Sequence, residues 1–221
     1  MCNEIARRIA LGQLREDWSQ LKIALVFPES LPNLEPLDSV RITDTTLIIR
    51  RSEHAEAGAE AVMRRWSWPG AGGRPVYNFR ADGRVLGDGS GAGRCLIPAD
   101  AFYEFTDPAR RGDLPVDTAG LPPPAKGRKD KWAFTRRDGE WLAIAGLWRA
   151  HPESPGQGGE AFTMLTCPPG PDIAPYHSRQ IVILERADWG RWLDGSASSA
   201  SLCKPLPAGT LSAALVSRPQ P

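Results

Sequence analysis

The chain has 221 residues, 41% of them hydrophobic and 24% charged, an ordinary balance for a soluble globular protein with a real buried core. Lys+Arg 27 against Asp+Glu 26 leaves a formal charge of +1, which excludes a protein basic over its whole surface but leaves room for a local basic cleft. Four cysteines, at 2, 95, 167 and 203, form no C-x-x-C pair, so a structural zinc site is not expected, and the sequence implies no metal or organic cofactor. With no signal peptide or membrane span read, the expected setting is the cytoplasm, with free thiols.

In chain order, "LREDWSQLKIALVF" reads as a helix that could carry a strand at its end, and the alternating, β-branched "SVRITDTTLIIRR" reads as strand. "EHAEAGAEAVMRRWSW" begins with helix formers and runs into tryptophans. "RPVYNFRA" and "GRCLIPADAFYEF" form a loop-to-strand pair around a Gly-rich insert, Gly83 to Gly93, and residues 107–130 read as one exposed Pro/Gly/charge loop. An Asp-Gly turn separates two strands in "KWAFTRRDGEWLAIAGLWRA", and a second Gly/Pro loop covers 152–160. "EAFTMLTCPP" and "HSRQIVILE" are strands, "RADWGRWLDG" a short helix stopped by Gly195, and the Ser/Ala/Pro-rich tail from Ser196 carries one strand-like patch, "TLSAALVS". No repeat or linker divides the chain. The expectation is a single α+β domain over 1–221, with a mainly antiparallel, barrel-like β core and a few peripheral helices.

Cys2 follows the initiator methionine, and a small second residue is the usual condition for removal of Met1. The mature chain would then begin with an α-amine and a thiol on adjacent carbons. An α-amine has a pKa of about 7.7–8.0 against about 10.4 for lysine, so far more of it is nucleophilic at neutral pH. With an aldehyde such a pair forms an imine and then a five-membered thiazolidine ring, which no internal cysteine can do. On position alone, an idle or buried cysteine is the competing reading.

Other side chains add to this. Asn78 and Arg80 stand two apart in "YNFRA", on one side if the segment is extended. Glu104, set between Tyr103 and Phe105 after an apolar run, suits a desolvated proton shuttle, the alternative being an exposed strand glutamate. Of three histidines, His177 lies just before an apolar strand, His54 in a polar helix-like stretch and His151 beside a loop.

In order, Cys2, N-x-R at 78–80, "RCLIPADAFYEF", "LAIAGLW", "FTMLTCPP" and H-x-R before an apolar strand resemble the SOS response-associated peptidase (SRAP) family over most of the chain. The resemblance implies a protein of the DNA damage response that shields abasic sites in single-stranded DNA, joining Cys2 to the ring-opened sugar aldehyde as a thiazolidine. It implies Cys2 as nucleophile, Asn78 as the group orienting it, Arg80 on a phosphate, Glu104 moving protons, and His177 assisting at the sugar oxygens, with a lyase side reaction. Further DNA contacts are expected from Arg64, Arg65, Trp66, Trp68 and Arg149, the alternative for the two tryptophans being the core. A monomer with single-stranded DNA as its partner is expected, cytoplasmic and nucleoid-associated when bound. The sequence departs from the family pattern at "MCNE", where "MCGR" is common, at "HSRQI" in place of H-x-R-M-P, and at "WSWPG". Alternative functions are an autoprocessing peptidase that exposes Cys2, a non-covalent DNA reader, and an N-terminal-nucleophile amidohydrolase.

Overall fold

The computed structural model describes residues 2–52, 58–84, 86, 92–117, 120–123, 126–150 and 159–216. Along the chain run β1 (Glu4–Arg7), α1 (Leu11–Gln20), β2 (Ala24–Val26), β3 (Leu37–Arg41), β4 (Thr45–Arg51) and β5 (Gly58–Trp66). Next come β6 (Trp68–Pro69), β7 (Pro75–Val76), β8 (Asn78–Arg80), β9 (Ala92–Ala99), β10 (Ala101–Thr106) and β11 (Asp130–Arg136). The remainder is β12 (Leu142–Ala150), β13 (Glu160–Cys167), β14 (Gln180–Ile181), β15 (Ile183–Leu184), α2 (Trp189–Leu193), α3 (Ser199–Leu202) and β16 (Leu211–Leu215).

Two sheets carry the fold. The first is antiparallel in the order β16-β11-β10-β1-β3. In the second, β13, β12, β9, β4 and β5 pair in turn, and β13 then pairs β5 in parallel, so these five strands close into a ring. The mainly antiparallel, barrel-like core expected from the sequence is thus present, with few helices.

Strands of the ring are apolar on both faces because both are covered. On β4, Ile48 points into the core shared with the first sheet (Ile5, Phe102, Phe134), while Leu47 and Ile49 meet Leu14 and Trp18 of α1 and Trp189 and Trp192 of α2. Ile97 and Ile144 join the first core, and Leu96, Ala143 and Ala145 the second. Gly146 of the "AGLW" run allows β12 this close approach: a Cβ there would stand 2.7 Å from Thr163 O.

One expectation is corrected, for 107–130, and two further segments are placed in more detail. The helix formers around 58–62 belong to β5, because a strand with neighbours on both sides and buried Ala59, Ala61 and Val62 gains more from packing than from helix propensity. The 107–130 segment is not wholly exposed: Leu114 is buried, Val116 and Leu121 pack on the core, and Arg111 pairs with Asp130. The Asp138-Gly139 turn lies between two strands as expected, β11 and β12, which belong to different sheets. The expected helix in "LREDWSQ", the strand after it, and the stop at Gly195 (φ 76) are found. His54, His151 and most of the second Gly/Pro loop lie outside the described residues.

Candidate active site

The run "RCLIPADAFYEF" makes β9 of the ring, turns at Asp100, and continues as β10 of the first sheet. Asp100 holds this corner by accepting the backbone N–H groups of Arg8 and Ile9, the latter at 3.0 Å, which ties β1 to it. β1 pairs with β10 through Ile5 and Phe102, and this register carries Cys2 toward Glu104.

Cys2 is 1% exposed. Its thiol donates to Glu4 O at 3.3 Å, and its carbonyl accepts Asn78 Nδ2 at 2.7 Å. Asn78 reaches it because β8 lies parallel to β13, opposite Met164. Burial, and then the Glu104 charge, pushes the thiol up to about 12.

Glu104 is 2% exposed. Desolvation raises its pKa to about 7, opposed by the positive amino terminus of the chain and by the Cys2 backbone N–H, which the carboxylate accepts. A carboxyl group poised near neutrality can both give and take a proton at working pH. His177 is held below the ordinary imidazole value by desolvation first, then by the amino terminus, and is therefore neutral at pH 7. The turn fixes its ring, with Nδ1 3.0 Å from both N and O of Arg179. Arg179 is in turn held by Asp82 at 2.6 Å and by Thr166 O at 2.9 Å.

Asn3, Glu104, Phe105, Lys129, Tyr176 and His177 line a cleft of about 740 Å³. The structure therefore brings Cys2, Asn78, Glu104 and His177 to one region. It also accounts for the departure at "MCNE". Asn3 is exposed on the cleft, whereas Glu4 turns to the outer face of the first sheet, against Ser39 at 2.6 Å and Lys131 at 2.7 Å. Burial alone would raise the Glu4 pKa, but these hydrogen bonds and the Lys131 and Arg41 charges carry it below the ordinary value.

The expected DNA-contact residues divide. Arg80 is exposed, and Arg65 is half-buried, with Nη1 on Thr43 O at 3.2 Å. Arg149 stacks over Trp68 at 4.2 Å, and its Nε has no partner among the described residues. Arg64 and Trp66 require correction as surface contacts. Arg64 is 3% exposed and is neutralised by Glu29 and Glu160. Trp66 is fully buried, stacked on Phe162, with its Nε1 donating to Tyr77 O. Trp68 is 6% exposed and also belongs to the interior. Strand alternation of β5 explains the pair: Arg64 and Trp66 share one parity, and both side chains are enclosed. Sequence reasoning passed over Tyr176, whose only signal was its place directly before His177. Among the described residues no group of three or more His, Cys, Asp or Glu gathers to hold a metal, and no helix is long and apolar enough to cross a membrane.

A closed, largely antiparallel sheet packs against a second sheet whose first strand follows Cys2, and Cys2 is set against a buried carboxyl group. The chain belongs to the SOS response associated peptidase (SRAP) family, whose model matches residues 1–219, and this ties it to the SOS response to DNA damage. Three solved structures share the fold. A protein from Bordetella bronchiseptica is 23% identical with a TM-score of 0.65, covering 98% of this chain and 100% of that one. A phage-related protein from the same organism is 19% identical with a TM-score of 0.67 over 98% and 95% of the two chains. A protein from Bacteroides thetaiotaomicron is 16% identical with a TM-score of 0.66 over 98% and 92%. At these identities the likeness concerns the fold. No curated protein matches the chain.

Proposed function

We propose that the protein shields abasic sites in single-stranded DNA by joining Cys2, freed of Met1, to the ring-opened sugar. The observation that carries this reading is the Cys2 nitrogen, which already donates to a buried carboxyl group with a pKa near 7. Once Met1 is removed, that nitrogen is the reactive α-amine. It adds to the aldehyde carbon, and the carbonyl oxygen takes protons and leaves as water, giving an imine. The Cys2 sulfur then adds to the imine carbon while the thiol proton passes to the imine nitrogen, closing the thiazolidine with one water lost overall.

Glu104 suits both proton transfers. It is the acid that helps water leave and the base that receives the thiol proton. The second role is needed because a thiol raised to about 12 is thiolate in only roughly one molecule in 10⁴–10⁵ near neutral pH. Asn78 fixes the Cys2 carbonyl, His177 serves the sugar oxygens as a neutral imidazole, and Arg80 at the rim takes a phosphate. The partner is single-stranded DNA bound by a monomer, and a lyase side reaction follows if the imine forms and the sugar loses its 3′ phosphate before ring closure.

The test is to incubate Met-free protein, verified by intact mass, with single-stranded DNA carrying one abasic site, and to run a denaturing gel. A heat-stable shifted band that is absent with Cys2→Ala supports the reading. No band with the wild-type protein sinks it, and a complex seen only under native conditions points to the non-covalent reader instead.

A further inference from the structure

Tyr176 is 3% exposed, and its hydroxyl has no hydrogen-bond partner among the described residues. Its ring meets Trp132 edge-on, with centroids 5.3 Å apart, and Phe134 at 5.0 Å and 88°. These two rings are the cross-strand neighbours of Glu104 and Phe102, so Tyr176 lies over the face of the β10–β11 pair from which Glu104 projects. It also lines the cleft that holds Glu104 and His177. The backbone is fixed there, with the N–H groups of Tyr176 and His177 both donating to Ile173 O, at 2.8 and 2.9 Å.

A phenylalanine would make the same ring contacts without burying an unpaired hydroxyl, which lowers stability wherever it is not satisfied. A buried polar atom of this kind in a native fold asks for an explanation, and a partner that arrives from outside supplies one. Desolvation raises the tyrosine pKa above its ordinary value, so the phenol is neutral across the working range and acts as a donor.

Resting on the crosslinking reading above, we propose that the Tyr176 hydroxyl is a positioning group of the site: it donates a hydrogen bond to an oxygen of the ring-opened sugar and holds the aldehyde carbon over the Cys2 nitrogen. No bond to Tyr176 forms or breaks, and its proton stays on the phenol. Because phosphate contacts supply most of the affinity for DNA, the hydroxyl governs how fast bound sugar reacts rather than how tightly the strand is held.

The experiment is single-turnover crosslinking of wild-type protein and Tyr176→Phe over a range of abasic-site DNA concentrations, with thermal melts of both. The expected result is a rate at saturating DNA about tenfold lower in Tyr176→Phe, the loss of roughly one hydrogen bond to a bound group, with an unchanged half-saturating concentration and a Tm equal to or above wild type. Equal rates overturn the proposal while leaving the crosslinking reading intact. A lower Tm in Tyr176→Phe also overturns it, because the hydroxyl then serves the fold. A wild-type protein that makes no crosslink overturns the crosslinking reading and this proposal with it.

Discussion

The two faces of the first sheet each bury a glutamate, on the paired strands β1 and β10, and they treat them in opposite ways. On the outer face Glu4, 5% exposed, is surrounded by Lys131, Ser39 and Arg41, and its pKa falls. On the inner face Glu104, 2% exposed, is governed first by desolvation, and its pKa rises to about 7. The same residue type, with little surface exposed in either place, is held as an anion in one and brought near neutrality in the other. Low exposure alone therefore does not set the charge state of a glutamate. The depth of desolvation and the cations around it do.

Glu104→Gln gives the sharpest test of the contrast. The amide keeps the shape but cannot carry the proton, so crosslinking is expected to slow by about 100-fold without loss of folding, as read by single-turnover gels beside a melt. An unchanged rate would break the comparison. Glu4→Gln should do the reverse, costing about 2 kcal/mol in urea unfolding by leaving Lys131 partly buried without its anion, while the crosslinking rate stays within a few-fold of wild type.

The pH dependence of stability should also differ in sign. For Glu104 the folded pKa lies above the ordinary 4.5, so its contribution is complete below that value and is lost as pH rises toward about 7. For Glu4 the folded pKa lies below 4.5, so its contribution is present above that value and is lost as pH falls through the folded pKa. Melts should therefore show Glu104→Gln gaining on wild type between about pH 4.5 and 7, and the deficit of Glu4→Gln shrinking below about pH 4.5. Parallel curves for either variant would remove the distinction for that residue.

The smallest effect carries the contrast over to cations. Arg80→Ala at the rim should weaken DNA binding a few-fold and reduce the salt slope by about 1, with no change in Tm. Arg64→Ala, which strips Glu29 and Glu160 of their shared partner, should lower Tm instead.

Much of the fold was legible because strand alternation and apolar runs survive in "TTLIIRR", "LAIAGLW" and "FTMLTC". The stretch 58–62 gave no strand signal because its alanines favour helix locally but fit a strand wedged between neighbours on both sides. Cys2, Asn78, Glu104 and His177 could be picked out in order, yet that Asn78 holds the Cys2 carbonyl depends on the parallel pairing of β8 with β13, which no local pattern records. Arg64 and Trp66 read as a surface cluster because adjacent Arg and Trp suit DNA. Arg64 is enclosed with Glu29 and Glu160 and Trp66 with Phe162, all of them far away in sequence. Tyr176 could not be found from sequence, since an unpaired hydroxyl is a property of its surroundings.

On the proposed function, the burial of Cys2 bears on when Met1 can be removed. The group that holds the Cys2 carbonyl comes from β8, which is itself placed by pairing with β13, so Cys2 is enclosed only once the chain has been made through β13. Methionine removal is then expected to precede the docking of β1. Aminopeptidase treatment of folded protein that still carries Met1 is expected to leave it in place, as read by intact mass.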